Sequence, residues 1–142
     1  MIPYSFVGLY TGSLTDSTDN RKNLIGLVSI LWSTTTLLSG AVDSFAVFAG
    51  MRVLLGVLES ACNPLAYSLI RDYFPSDQRS TANSILNSSI YIGGAVSSLS
   101  ILLIQNFGWR DDYIFTGLAG MLFGLSAILF LKEPERGQFD VP

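Results

Sequence analysis

Histidine is absent from this 142-residue chain, and cysteine occurs once, at Cys62. No intrachain disulfide can form, and there is no Cys/His cluster with the spacing of a zinc site, so no metal is expected. Without histidine the commonest general base is missing, and no Ser, Asp and base constellation replaces it; an enzyme is therefore not expected, nor is a cofactor. Charge is scarce as well: 13% of residues are charged, against roughly 25% in an average soluble domain. The few basic residues form no stripe that could track a phosphate backbone, so nucleic acid is not an expected partner.

What remains is apolar and segmented. Mean hydropathy is +0.46, and the charges fall in clusters between long uncharged runs. Residues 23–42 form one run of 20 residues, about the ~20 that cross a bilayer as a helix. Residues 45–70 form a second, interrupted only by Arg52 and Glu59. With only Asp43 and Ser44 between them, these two spans are expected to lie antiparallel and adjacent. Residues 80–105 carry no charge and are rich in Ser, Gly and Asn, with Gly93/Ser97 and Gly94/Ser98 at small-xxx-small spacing. A turn is expected over 106–112, followed by a last span at 113–131 with Gly120 and Gly124 four residues apart. Lys132-Glu133-Pro134-Glu135-Arg136-Gly137 then stops the helix. The opening apolar stretch, 2–14, lacks a basic n-region and a cleavage site; it is expected to be the second half of a membrane helix. The fold class is thus all-α and integral to the membrane, multi-pass, with the lipid bilayer as a partner.

The basic residues orient these spans. Alternation puts Arg21, Lys22, Arg71, Arg79, Lys132 and Arg136 on one side and only Arg110 on the other, so the first side is expected to be cytoplasmic. The remaining basic residue, Arg52, sits inside a span with Glu59, where a charge costs on the order of 2.5 kcal/mol or more. Seven residues separate them, so they project from one helix face, with Gly56 between them and Asn63 one turn beyond. That stripe is expected to face a polar cavity and to bind substrate or a coupled proton through Arg52, Glu59 and Asn63. A structural alternative has Arg52 reaching back to the interface and Glu59 pairing with a neighbouring helix. Pro64, a little further on, can kink the span.

The loop Gly12-Ser13-Leu14-Thr15-Asp16, followed by Asn20-Arg21-Lys22, resembles the G-x-L-x-D-R-x-x-R-K signature between the second and third helices of major facilitator transporters. Ser17 stands where the signature has its first arginine, and one extra residue precedes Arg21-Lys22. Further on, Arg52-x-x-x-Gly56-x-x-Glu59, Pro64, Asp72-Tyr73-Phe74-Pro75, Asp77-Gln78-Arg79-Ser80, Gly108-Trp109-Arg110 and Glu133-Pro134-x-Arg136-Gly137 together resemble helices four to six of the Spinster branch. The resemblance implies a partial N-terminal six-helix bundle of a major facilitator transporter, running from the end of helix two through helix six. Helix one and the second half are the partners such a segment lacks. It also implies proton-coupled export of lysophospholipids or sphingolipids, with Arg52 and Glu59 lining the cavity. Gly12, Asp16, Arg21, Lys22, Asp72 and Arg79 are the positions implied for gating, with Asp16 able to pair with Arg79. An organic-anion or sugar-phosphate transporter is the alternative, and a non-transporting membrane scaffold a further one.

Overall fold

The computed structural model describes residues 20–139, and among them every regular element is helical. The helices are α1 (Arg21–Ala41), α2 (Phe45–Tyr73), α3 (Arg79–Ser97), α4 (Ser100–Phe107) and α5 (Trp109–Phe130). Four stretches are long and apolar enough to cross a membrane: α1, α2, α5, and α3 with α4 together as Arg79–Phe107. The segment expected at 2–14 lies outside the described residues.

Lipid offers no partner for a free N–H or C=O, so a crossing segment must satisfy its own backbone. α1 also has many hydroxyls to satisfy. Ser29, Ser33, Thr34, Thr35, Thr36 and Ser39 each donate to the carbonyl four residues back, at 2.7–3.0 Å. These bonds hide the polar donors against the helix itself. On other helices large side chains stay open: Phe123 and Phe130 of the last helix and Tyr91 of the third are largely exposed.

α1 is the central element, packed along α5 and next on α2, while α4 rests on α5 and α3 touches α2 only sparsely. The α1–α5 seam is closed by small residues. A Cβ at Gly117 would sit 2.8 Å from the Ser33 carbonyl oxygen, and one at Gly124 would sit 3.1 Å from the Gly26 carbonyl oxygen. The backbones therefore touch, which is how helices gain contact energy where the hydrophobic effect cannot drive them together. On α2 the buried stripe is Ala61, Leu65 and Leu69 at intervals of four.

Several sequence boundaries move. α1 begins two residues earlier than 23, and α2 continues through Pro64 to Tyr73, taking Arg71 and Asp72 into its last turn. The turn expected over 106–112 contracts to Gly108, whose φ of 96° ends α4 and opens α5 at once. Asp111 and Asp112 then occupy the first turn of α5, where the helix dipole favours acids. The third span is divided at residues 98–99, where Leu99, Ile101 and Leu102 bond three residues back. Ser97, Ser98 and Ser100 turn their hydroxyls onto carbonyls three residues back as well. The Gly93 and Gly94 spacing makes no seam: a Cβ at either would meet nothing within 4 Å among the described residues.

Candidate functional site

Three places hold charged side chains against the helices. At the first, where α1 begins, α2 ends and the chain leaves α5, Arg21 lies fully buried beside Asp72. Its Nη1 is 2.5 Å from Asp72 Oδ2 and donates to Ser68 Oγ at 2.8 Å, while Nε lies 3.4 Å from Glu133 Oε1. The Lys22 backbone N–H donates to Glu133 Oε2 at 2.7 Å, and Gly137 N–H donates to Asp72 Oδ1 at 3.1 Å. Tyr73 hydroxyl donates to the Lys132 carbonyl, and Gln138 Nε2 to that of Asp72. One arginine thus staples three points of the chain. Of the gating positions expected from sequence, Arg21, Lys22 and Asp72 meet here. Arg79 does something else: its Nε donates to the Phe74 carbonyl at 3.1 Å, holding the turn between α2 and α3. Gly12 and Asp16, with the expected Asp16–Arg79 pair, lie outside the described residues.

The second place is Arg52. Its guanidinium carbon is 4.9 Å from the Phe48 ring centre and 4.4 Å from that of Tyr113. Phe48 lies one turn back on α2 and Tyr113 near the start of α5, so the two rings clamp the guanidinium between helices by cation–π attraction. The clamp leaves donors unused: Nε and Nη2 are buried and have no hydrogen-bond acceptor among the described residues. Buried donors are almost always satisfied, so an orphan pair requires a reason.

Glu59 is the third. It is exposed, on the wall of a cleft of about 530 Å³ with Trp32, Ser33, Thr36 and Thr116. Asn63, one turn on, is exposed and lies outside the residues that line this cleft. Gly56 faces open space. Arg52 and Glu59 were expected to share one polar cavity; among the described residues the cleft at the α1–α2 connection is lined by neither, and the one on which Glu59 lies is not lined by Arg52. The seven-residue spacing put both on one face, but the aromatic clamp draws Arg52 back toward the α1–α2 connection. The guanidinium thus lies toward that end of the span, with Nε and Nη2 lacking an acceptor among the described residues.

Residues 1–140 match the sequence model of the Major Facilitator Superfamily. The chain belongs to that superfamily. Among curated major facilitators it is 30% identical over 122 residues to a probable galactarate/D-glucarate transporter of Bacillus subtilis, covering 81% of this chain and 27% of that protein. It is 32% identical over 114 residues to the protein spinster of Drosophila melanogaster, covering 78% of this chain and 18% of that one. A crystal structure of a bacterial homologue of the human lysosomal transporter Spinster, inward-facing and occupied, superposes with a TM-score of 0.81 at 29% identity, over 97% of this chain and 36% of that one. The chain spans about a third or less of the length of the curated relatives it matches. As a major facilitator of the Spinster-like kind with four membrane-length helices, it is an integral, multi-pass membrane protein.

Sequence reasoning missed Glu133, Ser68 and Gly137 as partners of the buried pair. Alternation of the spans had placed the starts and ends in question on one side, but it gives no distances. The aromatic clamp on Arg52 was also missed. Phe48 stands four residues before Arg52, a spacing that brings side chains together on a helix, and this was the available signal.

Proposed function

We propose that this segment belongs to a transporter working by alternating access, in which Arg52 binds an anionic group of the substrate and Glu59 carries a coupled proton. The observation that bears this reading is the Arg52 guanidinium: fixed by the Phe48 and Tyr113 rings, yet with no acceptor for Nε and Nη2 among the described residues. A planar fork with two free donors in a dry setting suits a phosphate or carboxylate, which accepts both. Glu59, inside a span and on a cleft, supports the proton role because an intramembrane carboxylate marks such sites. Helix one and a second half would complete the transporter, and the reading has no enzymatic step.

For substrate, we favour a lysophospholipid or sphingolipid, exported with proton coupling. Support comes from the apolar cleft of about 690 Å³ between α3–α4 and α5, walled by Leu99, Leu102, Leu103 and Phe115, which suits an acyl chain. The likeness to Spinster relatives, one of them the sphingosine-1-phosphate transporter of Danio rerio, supports the same choice. A sugar acid or other organic anion is the second reading. The hydroxyl oxygens of Ser33 and Thr36, whose protons go to their own helix, can still accept from a polyhydroxylated ligand beside Glu59, and relatives described as sugar-acid transporters favour it.

The test uses the full-length protein in reconstituted vesicles. Arg52→Ala should lose transport of anionic substrates outright, and Glu59→Gln should keep substrate binding but lose the response to a pH gradient. A normal pH-gradient response in Glu59→Gln places coupling elsewhere in the transporter.

A further inference from the structure

The α1–α2 connection and the start of α5 enclose a cleft of about 460 Å³ that neither Arg52 nor Glu59 lines. Four aromatic rings wall it, those of Phe45, Phe48, Trp109 and Tyr113, and the Asp43–Arg110 ion pair stands at its mouth. We propose that this cleft holds the headgroup of an ethanolamine phospholipid drawn from the surrounding bilayer.

Position is the first support. The cleft lies where three membrane-length helices end or begin, which is the depth of the lipid headgroups, and aromatic rings concentrate there because they are apolar with a wet edge. Phe45, at the first position of α2, is 84% exposed, an unusual placement for a phenyl ring in water but an ordinary one beside glycerol and the first carbons of a chain.

Charge is the second. Arg110 Nη2 and Asp43 Oδ1 are 2.5 Å apart, with both side chains open to the outside. A zwitterion meets that pair in antiparallel fashion: its phosphate takes the arginine donors that Asp43 leaves over, and its amine takes the other carboxylate oxygen.

The rings then choose between amines. A trimethylammonium group is held by the faces of aromatic rings. Here three of the four rings already carry a guanidinium on a face, Phe48 and Tyr113 that of Arg52 and Trp109 that of Arg110, whose carbon is 5.1 Å from the ring centre. Those three rings meet one another edge to face, at 6.0–6.3 Å between centres, and Phe45 remains as a lone ring, which makes no box. What remains for the amine is a carboxylate oxygen, which binds a primary ammonium through N–H donors and has nothing comparable to offer a methylated one.

The experiment is native mass spectrometry of the purified chain after incubation in detergent with equimolar phosphatidylethanolamine and phosphatidylcholine of the same acyl chains. The wild type should retain the ethanolamine lipid about tenfold over the choline lipid, the scale of one charge-assisted hydrogen bond. Asp43→Asn should bring that ratio near unity with helix content unchanged by circular dichroism, since Asp43 is a surface residue. Phe45→Ala should lower retention of both lipids at a constant ratio, and Asp77→Asn, an exposed acid at the opposite end, should leave the ratio as it was. An unchanged ratio in Asp43→Asn, equal retention in the wild type, or an equal collapse in Asp77→Asn would overturn the site. Displacement of the lipid by soluble phosphoethanolamine would assign the cleft to a free solute and overturn the bilayer as its source.

Discussion

Arg21 and Arg52 are both arginines set against the helices of one small bundle, and they are treated in opposite ways. Arg21 is buried with an acid on each side, a serine hydroxyl and a backbone nearby. Arg52 is given two aromatic faces and, among the described residues, no acceptor for two of its nitrogens. Arg21 has its charge matched by two carboxylates of its own chain, Asp72 and Glu133. Arg52 is held in place by rings, with no carboxylate among the described residues paired to its charge, which is what the proposed anion-binding role requires.

Breaking the first arrangement should have the largest effect on stability. Asp72→Ala strands Arg21 beside Glu133 alone and should cost about 3–5 kcal/mol, the scale for removing one partner of a buried pair. Thermal unfolding in detergent followed by tryptophan fluorescence would measure it. If the drop is below about 1 kcal/mol, Arg21 is not the staple described. The double change Arg21→Met with Asp72→Leu should recover most of the loss, because an apolar pair carries no stranded charge.

Next in size is the seam those charges help to close. Gly117→Val should cost about 1–3 kcal/mol by overpacking, since its Cβ would already press on the Ser33 carbonyl. Gly94→Ala, four residues from Ser98 in the same kind of spacing but facing open space, should change the same unfolding midpoint by no more than about 0.5 kcal/mol. Equal losses at the two glycines would mean that α3 is packed as tightly as α5.

Arg52→Met sharpens the contrast from the other side. It removes a cation–π clamp of about 1–2 kcal/mol together with two orphan donors whose burial is itself unfavourable, so stability should move by less than about 1 kcal/mol while anionic transport by the full-length protein is lost. A large destabilisation would make Arg52 a second Arg21. Smallest of all is Arg110→Ala, which opens an exposed pair and should cost at most about 0.5 kcal/mol in the same assay.

The four membrane-length spans were legible in the sequence because lipid imposes one simple requirement: about twenty residues without charge. Their ends were less legible, since Arg71 and Asp72 extend α2 only because Arg21 and Gly137 complete the site around Asp72 from elsewhere in the chain. The contraction of 106–112 onto Gly108 depended on one positive φ, which glycine permits but does not announce. Arg52 and Glu59 stood out as charges within a span; their separation did not, because helical spacing fixes directions at the backbone and not where a long side chain settles. Small-xxx-small spacing was equally visible at Gly93/Ser97 and Gly120/Gly124, and only the second forms a seam, for the spacing says nothing of whether a partner helix is present.

Arg21 and Glu133 are 112 positions apart in a 142-residue chain. During synthesis, then, Arg21 is made well before Asp72 and Glu133, the two acids that pair with it in the finished fold. The staple cannot be complete until residue 133 has been made, so its closure marks how far the chain has been synthesised. Chains arrested before residue 133 should accordingly be cut faster at the start of α1 by an added protease than chains arrested after residue 139, and equal cutting rates would show that the helices settle before the charges do.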